Sequence, residues 1–175
     1  AYIAAGIFPF NFMISNLTGG AGAIVGNSSM VKKMYFPREI LVLAHVISNF
    51  IVMVMGYTVI LIIIAVTGYP LDWVPLLLLP AILLLMALFT TGYTLLFSSL
   101  TVYARDVQYI LSSVSMIFFF MTPMYFLADS VSGMLGNIIW LNPFTYYIEA
   151  FHSIVYFGEI PEMKVLLMCI ILPLV

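Results

Sequence analysis

The charges of this chain fall in short gaps between long uncharged stretches. The sequence holds five Lys or Arg residues and seven Asp or Glu residues. None of them lies within residues 1–31, 40–71, 73–104 or 107–128. Each of these stretches is longer than the roughly 20 residues that an α-helix needs to cross the hydrocarbon core of a bilayer. The sequence therefore predicts an all-α, polytopic membrane protein.

The composition supports this class. Hydrophobic residues make up 65% of the chain and charged residues 7%, whereas soluble domains carry about 25% charged residues. The net charge is -2, and no basic run is longer than Lys32-Lys33, so nothing would attract a nucleic acid electrostatically. We expect membrane lipids as partners and no nucleic acid.

The Lys and Arg residues set the orientation. The gap at residues 32–39 and the gap at Arg105-Asp106 hold four of the five basic residues, whereas the gaps around Asp72 and over 129–162 hold none. The positive-inside rule places the first two gaps on the cytoplasmic side. We predict one transmembrane domain over residues 1–175 with five visible spans, near residues 2–26, 38–67, 75–102, 107–127 and from 162 onward.

Pro80 and Pro123 lie within predicted spans. Neighbouring helices can satisfy the carbonyls that a proline leaves free within a membrane. We therefore predict a kink at each proline and no helix end.

The apolar segment 129–158 does not read as one span, because glycine and asparagine residues interrupt it. We predict one helix with Asp129 as its N-cap, ending near residue 141. A second helix has Asn142 as N-cap and Pro143 at its first position, and ends near Gly158. Each helix is too short to cross a bilayer. The sequence predicts a re-entrant pair on the outer side, with a surface-lying amphipathic pair as the alternative.

The segment NSSMVKKMYF, residues 27–36, reads as a short helix at the cytoplasmic surface, before a new helix restarts at Pro37. It combines apolar residues with two lysines, a composition suited to docking another protein. Anchoring on anionic lipid headgroups is the alternative. The candidate docking residues are Asn27, Met30, Lys32, Lys33, Met34, Tyr35 and Phe36.

Neither an ATP site nor a metal site is visible in the sequence. The glycine run GGAGAIVG at residues 19–26 lacks the GK[ST] ending of a phosphate loop. We predict that its small residues permit close helix packing. His45 and His152 lie far apart, without Cys or carboxylate partners at ligand spacing. We expect His45 to be packed or hydrogen-bonded.

Four segments, in this order along the chain, are similar to segments of a known protein family: NSSMVKKMYFPREI, YARDVQYI, MTPMYF and LNPFTYYIEAFHSIVYFGEIP. In this order they resemble the membrane subunit, or permease, of type-2 (ABC-2 type) ATP-binding-cassette exporters. The similarity is to the bacterial branch that exports O-antigen or teichoic acid polysaccharide. It covers nearly all of the chain.

The resemblance implies six spans per subunit, the first missing here, and a homodimeric pore in the bacterial inner (cytoplasmic) membrane. This fits a chain that begins and ends within apolar stretches without an initiator Met, and we expect a fragment truncated at both ends. The resemblance also implies two copies of a separate ATPase that bind ATP and Mg, with residues 27–36 as the coupling helix. His152 departs from the family pattern, in which an Arg often occupies this position.

The resemblance further implies a lipid-linked polysaccharide as substrate. Residues of the implied re-entrant pair near the outer exit are Trp140, Asn142, Pro143, Tyr146 and Glu149. Aromatic rings suit sugar faces, and a polar residue within a membrane must be paired or face water. Candidate channel-lining residues are Phe8, Phe12, Asn16, Phe119 and Tyr125. Packing between helices is the alternative for Asn11, Asn16 and Asn49.

Three other functions stay open at this point. A drug or lipid exporter of the same superfamily would have the same topology. An intramembrane enzyme acting on lipid-linked sugars could use Glu149, His152 and Glu159, the first two on one helix face. A passive channel is less favoured, because the sequence shows no charged ring or filter-like loop.

Overall fold

The computed structural model describes residues 2–28, 37–66, 73–126 and 133–174. These residues form helices and turns, with no strand among them. The helices are α1 Tyr2–Ser15, α2 Ala23–Gly26, α3 Glu39–Val66, α4 Trp73–Leu76, α5 Leu79–Tyr103, α6 Asp106–Met121, α7 Met134–Leu141, α8 Pro143–His152 and α9 Met163–Ile171. The all-α prediction is confirmed.

The first predicted span is helical, but it is not one continuous α-helix. A π-helical turn, Asn16–Gly20, separates α1 from α2. Side chains bind carbonyls of the preceding turn: Asn16 Nδ2 donates to Phe12 O at 2.7 Å, and Thr18 Oγ1 donates to Ile14 O at 2.9 Å. Hydrogen bonds of this kind satisfy the backbone where the α-helical ladder is interrupted. The hydrophobic pattern gave no sign of this interruption.

Two helical segments are long and apolar enough to cross a membrane. They are Glu39–Val66, with 28 residues and a mean hydropathy of 2.5, and Val74–Tyr103, with 30 residues and a mean hydropathy of 2.4. Shorter apolar helices cover Asp106–Met121 and Met163–Leu174. The count of five spans stays a prediction.

Pro123 follows the end of a helix, so the prediction of a kink there is wrong, whereas Pro80 lies within the helical segment Val74–Tyr103 and the kink there stays a prediction. Pro80 lies in the first turn of α5, after a turn at residues 77–78. Pro123 follows the end of α6 at Met121, and Thr122 has an extended ψ of 128°. The ring of Pro123 disfavours the helical conformation at Thr122, the residue before it. Helix α6 therefore ends six residues before the predicted residue 127.

The helices pack as a bundle in which α1 contacts both α3 and α8, and α3 contacts α5. At one end, which we call the Tyr2 end, the Tyr2 hydroxyl donates to Phe126 O at 2.8 Å. At the other, the Gly26 end, residues Ile24, Arg38 and Tyr103 line a common cavity. The end of α2, the start of α3 and the end of α5 are thus close together.

The glycine run permits close packing, as the sequence predicted. A Cβ on Gly22 would lie 2.8 Å from Gln108 Nε2, and one on Gly19 would lie 3.2 Å from the His45 ring. A Cβ on Gly20 would collide with Thr94 Cγ2. The glycines therefore allow the α1–α2 path to approach α3, α5 and α6 more closely than any larger residue would allow.

Candidate functional site: a buried helical hairpin and its anchors

Helices α7 and α8 form a hairpin that turns at Asn142. The N-cap prediction is confirmed: Asn142 Oδ1 accepts a hydrogen bond from Phe144 N at 3.0 Å, and Pro143 occupies the first turn. A π-helical turn, Ser153–Phe157, extends α8 and ends at Gly158, whose φ of 66° is left-handed. Glycine adopts this conformation without steric cost, and the predicted end is also confirmed.

The first helix of the hairpin is shorter than predicted. It begins at Met134, because Gly133 has φ 81° and ψ -148°, a conformation outside the helical region. The expected N-cap, Asp129, lies outside the described residues. A helix running unbroken from Asp129 to Leu141 is therefore wrong.

Helix α8 is enclosed by the bundle. Eight of its ten residues are buried, and it contacts α1, α5 and α9. A helix that is buried on nearly all sides belongs to an interior. This placement favours insertion of α8 into the bundle, whereas α7 exposes Asn137, Ile138 and Leu141.

Side chains of α8 satisfy the carbonyls at the end of α7. Thr145 Oγ1 donates to Ile139 O at 2.8 Å, and the Tyr146 hydroxyl donates to Trp140 O at 2.8 Å. The last carbonyls of a helix have no partner within that helix. Away from water such groups need another donor, so these two hydrogen bonds stabilise the turn inside the bundle.

The hairpin is also tied to α6. Asn142 is 1% exposed, and its Nδ2 donates to Thr122 Oγ1 at 2.9 Å. Phe144, in the first turn of α8, packs edge-on against Phe118 with ring centroids 5.0 Å apart. Its other aromatic neighbours are Phe89 and Tyr93 of α5.

His152 anchors the hairpin on α1. It is fully buried, and its ring stacks on Tyr2 with centroids 3.8 Å apart. A Cβ on Gly6 would lie 2.6 Å from His152 Nε2, so α1 leaves room for the ring only because residue 6 is glycine. His152 Nδ1 lies 3.9 Å from Glu149 Oε2. Neither ring nitrogen has a hydrogen-bond partner among the described residues.

A second polar chain joins α1 to α3. Asn49 Nδ2 donates to Asn16 Oδ1 at 3.1 Å and lies 3.1 Å from His45 Nε2. Asn16 is fully buried. The amides act between helices, which is the packing alternative for Asn16 and Asn49, and the prediction that His45 is hydrogen-bonded is confirmed.

Two described helical segments are long and apolar enough to cross a membrane, and the hairpin satisfies carbonyls at its turn by internal hydrogen bonds, as a membrane requires. The model of the family described as ABC-2 type transporter matches residues 1–156. The chain belongs to this family. The matched residues run from α1 through the whole of the hairpin, and the chain is a membrane protein.

The proteins below are similar to this chain in sequence, and each is named a permease. The chain is 28% identical over 144 residues to the O-antigen export system permease protein RfbA of Klebsiella pneumoniae, covering 81% of this chain and 55% of that protein. It is 24% identical over 168 residues to the protein of the same name from Myxococcus xanthus, covering 95% of this chain and 64% of that protein. The chain thus spans less than two thirds of the length of these relatives.

The five candidate channel-lining residues of this ABC-2 chain fall into two groups. Phe8 and Phe12 line a cleft between α1 and α3, and Asn16 is buried beside it. Phe119 and Tyr125 are 37% and 55% exposed, with ring centroids 5.9 Å apart. The structure brings the members of each group together but does not join the groups, and channel lining stays a prediction.

The candidate docking residues lie outside the described residues, with the exception of Asn27. Asn27 Nδ2 donates to Ala23 O at 2.9 Å. Its side chain thus satisfies a carbonyl of α2.

Sequence reasoning missed the anchor of the hairpin on α1. Tyr2 and Gly6 lie on one face of α1, four residues apart, a spacing that brings side chains together on a helix. That spacing was readable, but the partner His152 lies 150 positions from Tyr2 along the chain. Only the fold brings it into contact.

Proposed function

We propose that this chain is the pore-forming permease subunit of an ATP-driven exporter that moves lipid-linked polysaccharide across the bacterial inner membrane. Two copies form the pore, and two copies of an ATP-binding-cassette ATPase supply the energy. The observation that carries the proposal is the family match over residues 1–156, which includes α8, the buried helix of the hairpin. The names of the relatives support polysaccharide as the cargo.

The proposed orientation rests on the charges at the two ends of the bundle. Arg38 lies at the Gly26 end, where it lines a cavity with Ile24 and Tyr103. Glu149, Glu159 and Glu162 line a different cavity at the other end, beside the hairpin. The positive-inside rule counts basic residues, of which Arg38 and Arg105 belong to the Gly26 end and Lys164 to the hairpin end, so it supports the Gly26 end as cytoplasmic and the hairpin as facing the outer side.

ATP chemistry is assigned to the partner subunit. The glycine run at residues 19–26 packs against three side chains of neighbouring helices, His45, Thr94 and Gln108. Residues 27–36 follow directly at the proposed cytoplasmic end, and we assign them to docking the ATPase. Binding of ATP and Mg changes the conformation of the partner ATPase, and residues 27–36 transmit this change to α2 and α3.

Helix α6 is the best candidate for a channel wall. Leu111 is its single buried residue, so its remaining surface is available to a channel or to a second subunit. Gln108, Ser112 and Ser113 are exposed within two turns, and polar groups inside a membrane face water or protein in preference to lipid. Phe119 and Tyr125 continue this surface towards the Tyr2 end.

The test is polymer export in the native host. Cells that lack the full-length protein should accumulate lipid-linked polysaccharide on the cytoplasmic side, and the wild-type gene should restore surface polymer. Normal surface polymer in the deletion strain would overturn the proposal. Loss of drug resistance or of lipid transport, with normal polymer, would instead favour the drug or lipid exporter.

A further inference from the structure

The two helices on either side of the π-helical turn Asn16–Gly20 differ in how firmly they pack. Helix α1, before the turn, buries six of its residues in the bundle. None of the residues of α2, after the turn, is buried. Turns of this kind interrupt the regular hydrogen bonding of a helix, and they occur frequently at functional sites. A firmly packed helix and a loosely packed one therefore meet at an irregular turn.

The turn itself is fixed in the bundle. Asn16 is fully buried, and its side chain bonds both to α1 and to α3. Its Nδ2 donates to Phe12 O at 2.7 Å, and its Oδ1 accepts from Asn49 Nδ2 at 3.1 Å. Gly20 has no Cβ, so its backbone lies directly against Thr94 of α5. A short segment that is fixed between two packed elements can serve as the pivot for the helix that follows it.

Helix α2 lies between a contact and a cavity. On one side, Gly22 lies against Gln108 of α6, whose Nε2 would be 2.8 Å from a Cβ at residue 22. Ile24 lies on nearly the opposite side, since each residue of an α-helix turns it by about 100°. There it lines a cavity of about 230 Å³ together with Ser99 and Val102 of α5. Helix α2 therefore has room to move away from α6.

We propose that the Asn16–Gly20 turn is a hinge, about which α2 swings into this cavity and away from Gln108 while α1 stays in the bundle. The inference rests on the proposed function, because the movement comes from the partner ATPase through residues 27–36, which follow α2 directly. Gln108 belongs to α6, the proposed channel wall, so the swing removes a contact that holds this wall. Binding of ATP by the partner is thus coupled to the channel wall through one short helix.

The test is disulfide cross-linking in the full-length protein, assembled with its ATPase in lipid nanodiscs, with and without a non-hydrolysable ATP analogue and Mg. One pair, Ile24→Cys with Ser99→Cys, shares the cavity after the turn. The analogue should speed its cross-linking by about fivefold or more, the lower end of the coupling between two sites in allosteric proteins. The matched pair, Ser15→Cys with Val52→Cys, shares a cleft before the turn, and its rate should not change.

An unchanged or slower rate for the first pair would overturn the hinge, because α2 would then not enter the cavity. An equal increase for both pairs would also overturn it, because α1 would then move together with α2. The cross-link gives a functional readout as well, since it holds α2 in the cavity. Oxidation of the Ile24→Cys/Ser99→Cys variant should stop polymer export, and a reductant should restore it. Export that continues at the same rate after cross-linking would contradict the hinge.

Failure of this inference can be told apart from failure of the proposed function. A co-purifying ATP-binding-cassette protein and normal polymer export, together with cross-linking that does not respond to the analogue, would overturn the hinge alone. Polymer export that persists in the deletion strain would overturn the proposed function itself.

Discussion

The His152 ring lies against the Tyr2 ring, with centroids 3.8 Å apart and planes 23° apart. The Tyr2 hydroxyl also donates to Phe126 O at 2.8 Å. The start of α1, the end of the hairpin helix and the segment after α6 therefore meet around one tyrosine. Any movement of the hairpin away from α1 must separate this pair.

Gly6→Ala should loosen this contact. The new Cβ would lie 2.6 Å from His152 Nε2, and the buried, stacked ring has little room to move. Overpacking of this kind costs about 1–3 kcal/mol, so the melting temperature of the purified protein should fall. The matched control is Gly92→Ala, because a Cβ at that helical position meets nothing within 4 Å. Equal melting temperatures for the two variants would contradict the close approach.

The hydrogen bond between Asn16 and Asn49 should be measurable as a coupling energy. Their amides are 3.1 Å apart, and hydrogen bonds between membrane helices average about 0.6 kcal/mol in double-mutant cycles. We expect Asn16→Ala and Asn49→Ala to be non-additive by about this amount in denaturant unfolding. Ser48→Ala is the control partner, since its hydroxyl is exposed and bonds within its own helix. Strict additivity for Asn16 and Asn49 would contradict the assignment.

The turn of the hairpin should control access to Cys169. This thiol is fully buried, and the backbone oxygen of Cys169 accepts from the Tyr147 hydroxyl of α8 at 3.1 Å. Asn142→Ala removes both the N-cap, worth about 1 kcal/mol, and the bond to Thr122. It should speed maleimide labelling of Cys169, measured by mass spectrometry of the peptide that contains it.

Thr122→Val distinguishes the effect of the Asn142 N-cap from the effect of the hydrogen bond between Asn142 and Thr122. It removes the hydroxyl that accepts from Asn142 Nδ2 at 2.9 Å and that donates to Phe118 O at 2.6 Å, and it leaves the N-cap in place. Labelling of Cys169 should be intermediate between wild type and Asn142→Ala. If Asn142→Ala labels at the wild-type rate, the hairpin turn does not protect α9.

Cysteine substitution distinguishes a channel wall from a lipid-facing surface. Met116 of α6 and Met55 of α3 are 65% and 64% exposed, so they form a matched pair. We expect Met116→Cys to react faster than Met55→Cys with a charged, membrane-impermeant thiol reagent in nanodiscs containing the assembled transporter. Equal reactivity would remove α6 from the proposed channel wall.

Long helices and local caps could be predicted from the sequence. The uncharged stretch after Glu39 gave a helix near 38–67, and α3 covers Glu39–Val66. The cap at Asn142 followed from local chemistry, because its side chain bonds a backbone amide two residues away. Such features depend on neighbours in sequence, and a sequence displays those directly.

Other features depend on contacts that a sequence does not display. The prediction at Pro123 assumed that neighbouring helices would satisfy the freed carbonyls, but the extended residue before it ends α6. The π-helical turn at Asn16–Gly20 packs against α3, α5 and α6. The stack of Tyr2 on His152 joins the two ends of the matched region. Each of these required the tertiary arrangement.

The central claim, that this chain is the permease of an ATP-driven exporter, is tested most directly by purification of the tagged full-length protein from its native host in mild detergent. Mass spectrometry and an ATPase assay would identify what accompanies it. We predict a stoichiometric ATP-binding-cassette protein and ATP hydrolysis, both lost when Lys32, Lys33 and Tyr35 are replaced together. Reproducible recovery of the chain alone, without ATPase activity, would contradict the claim.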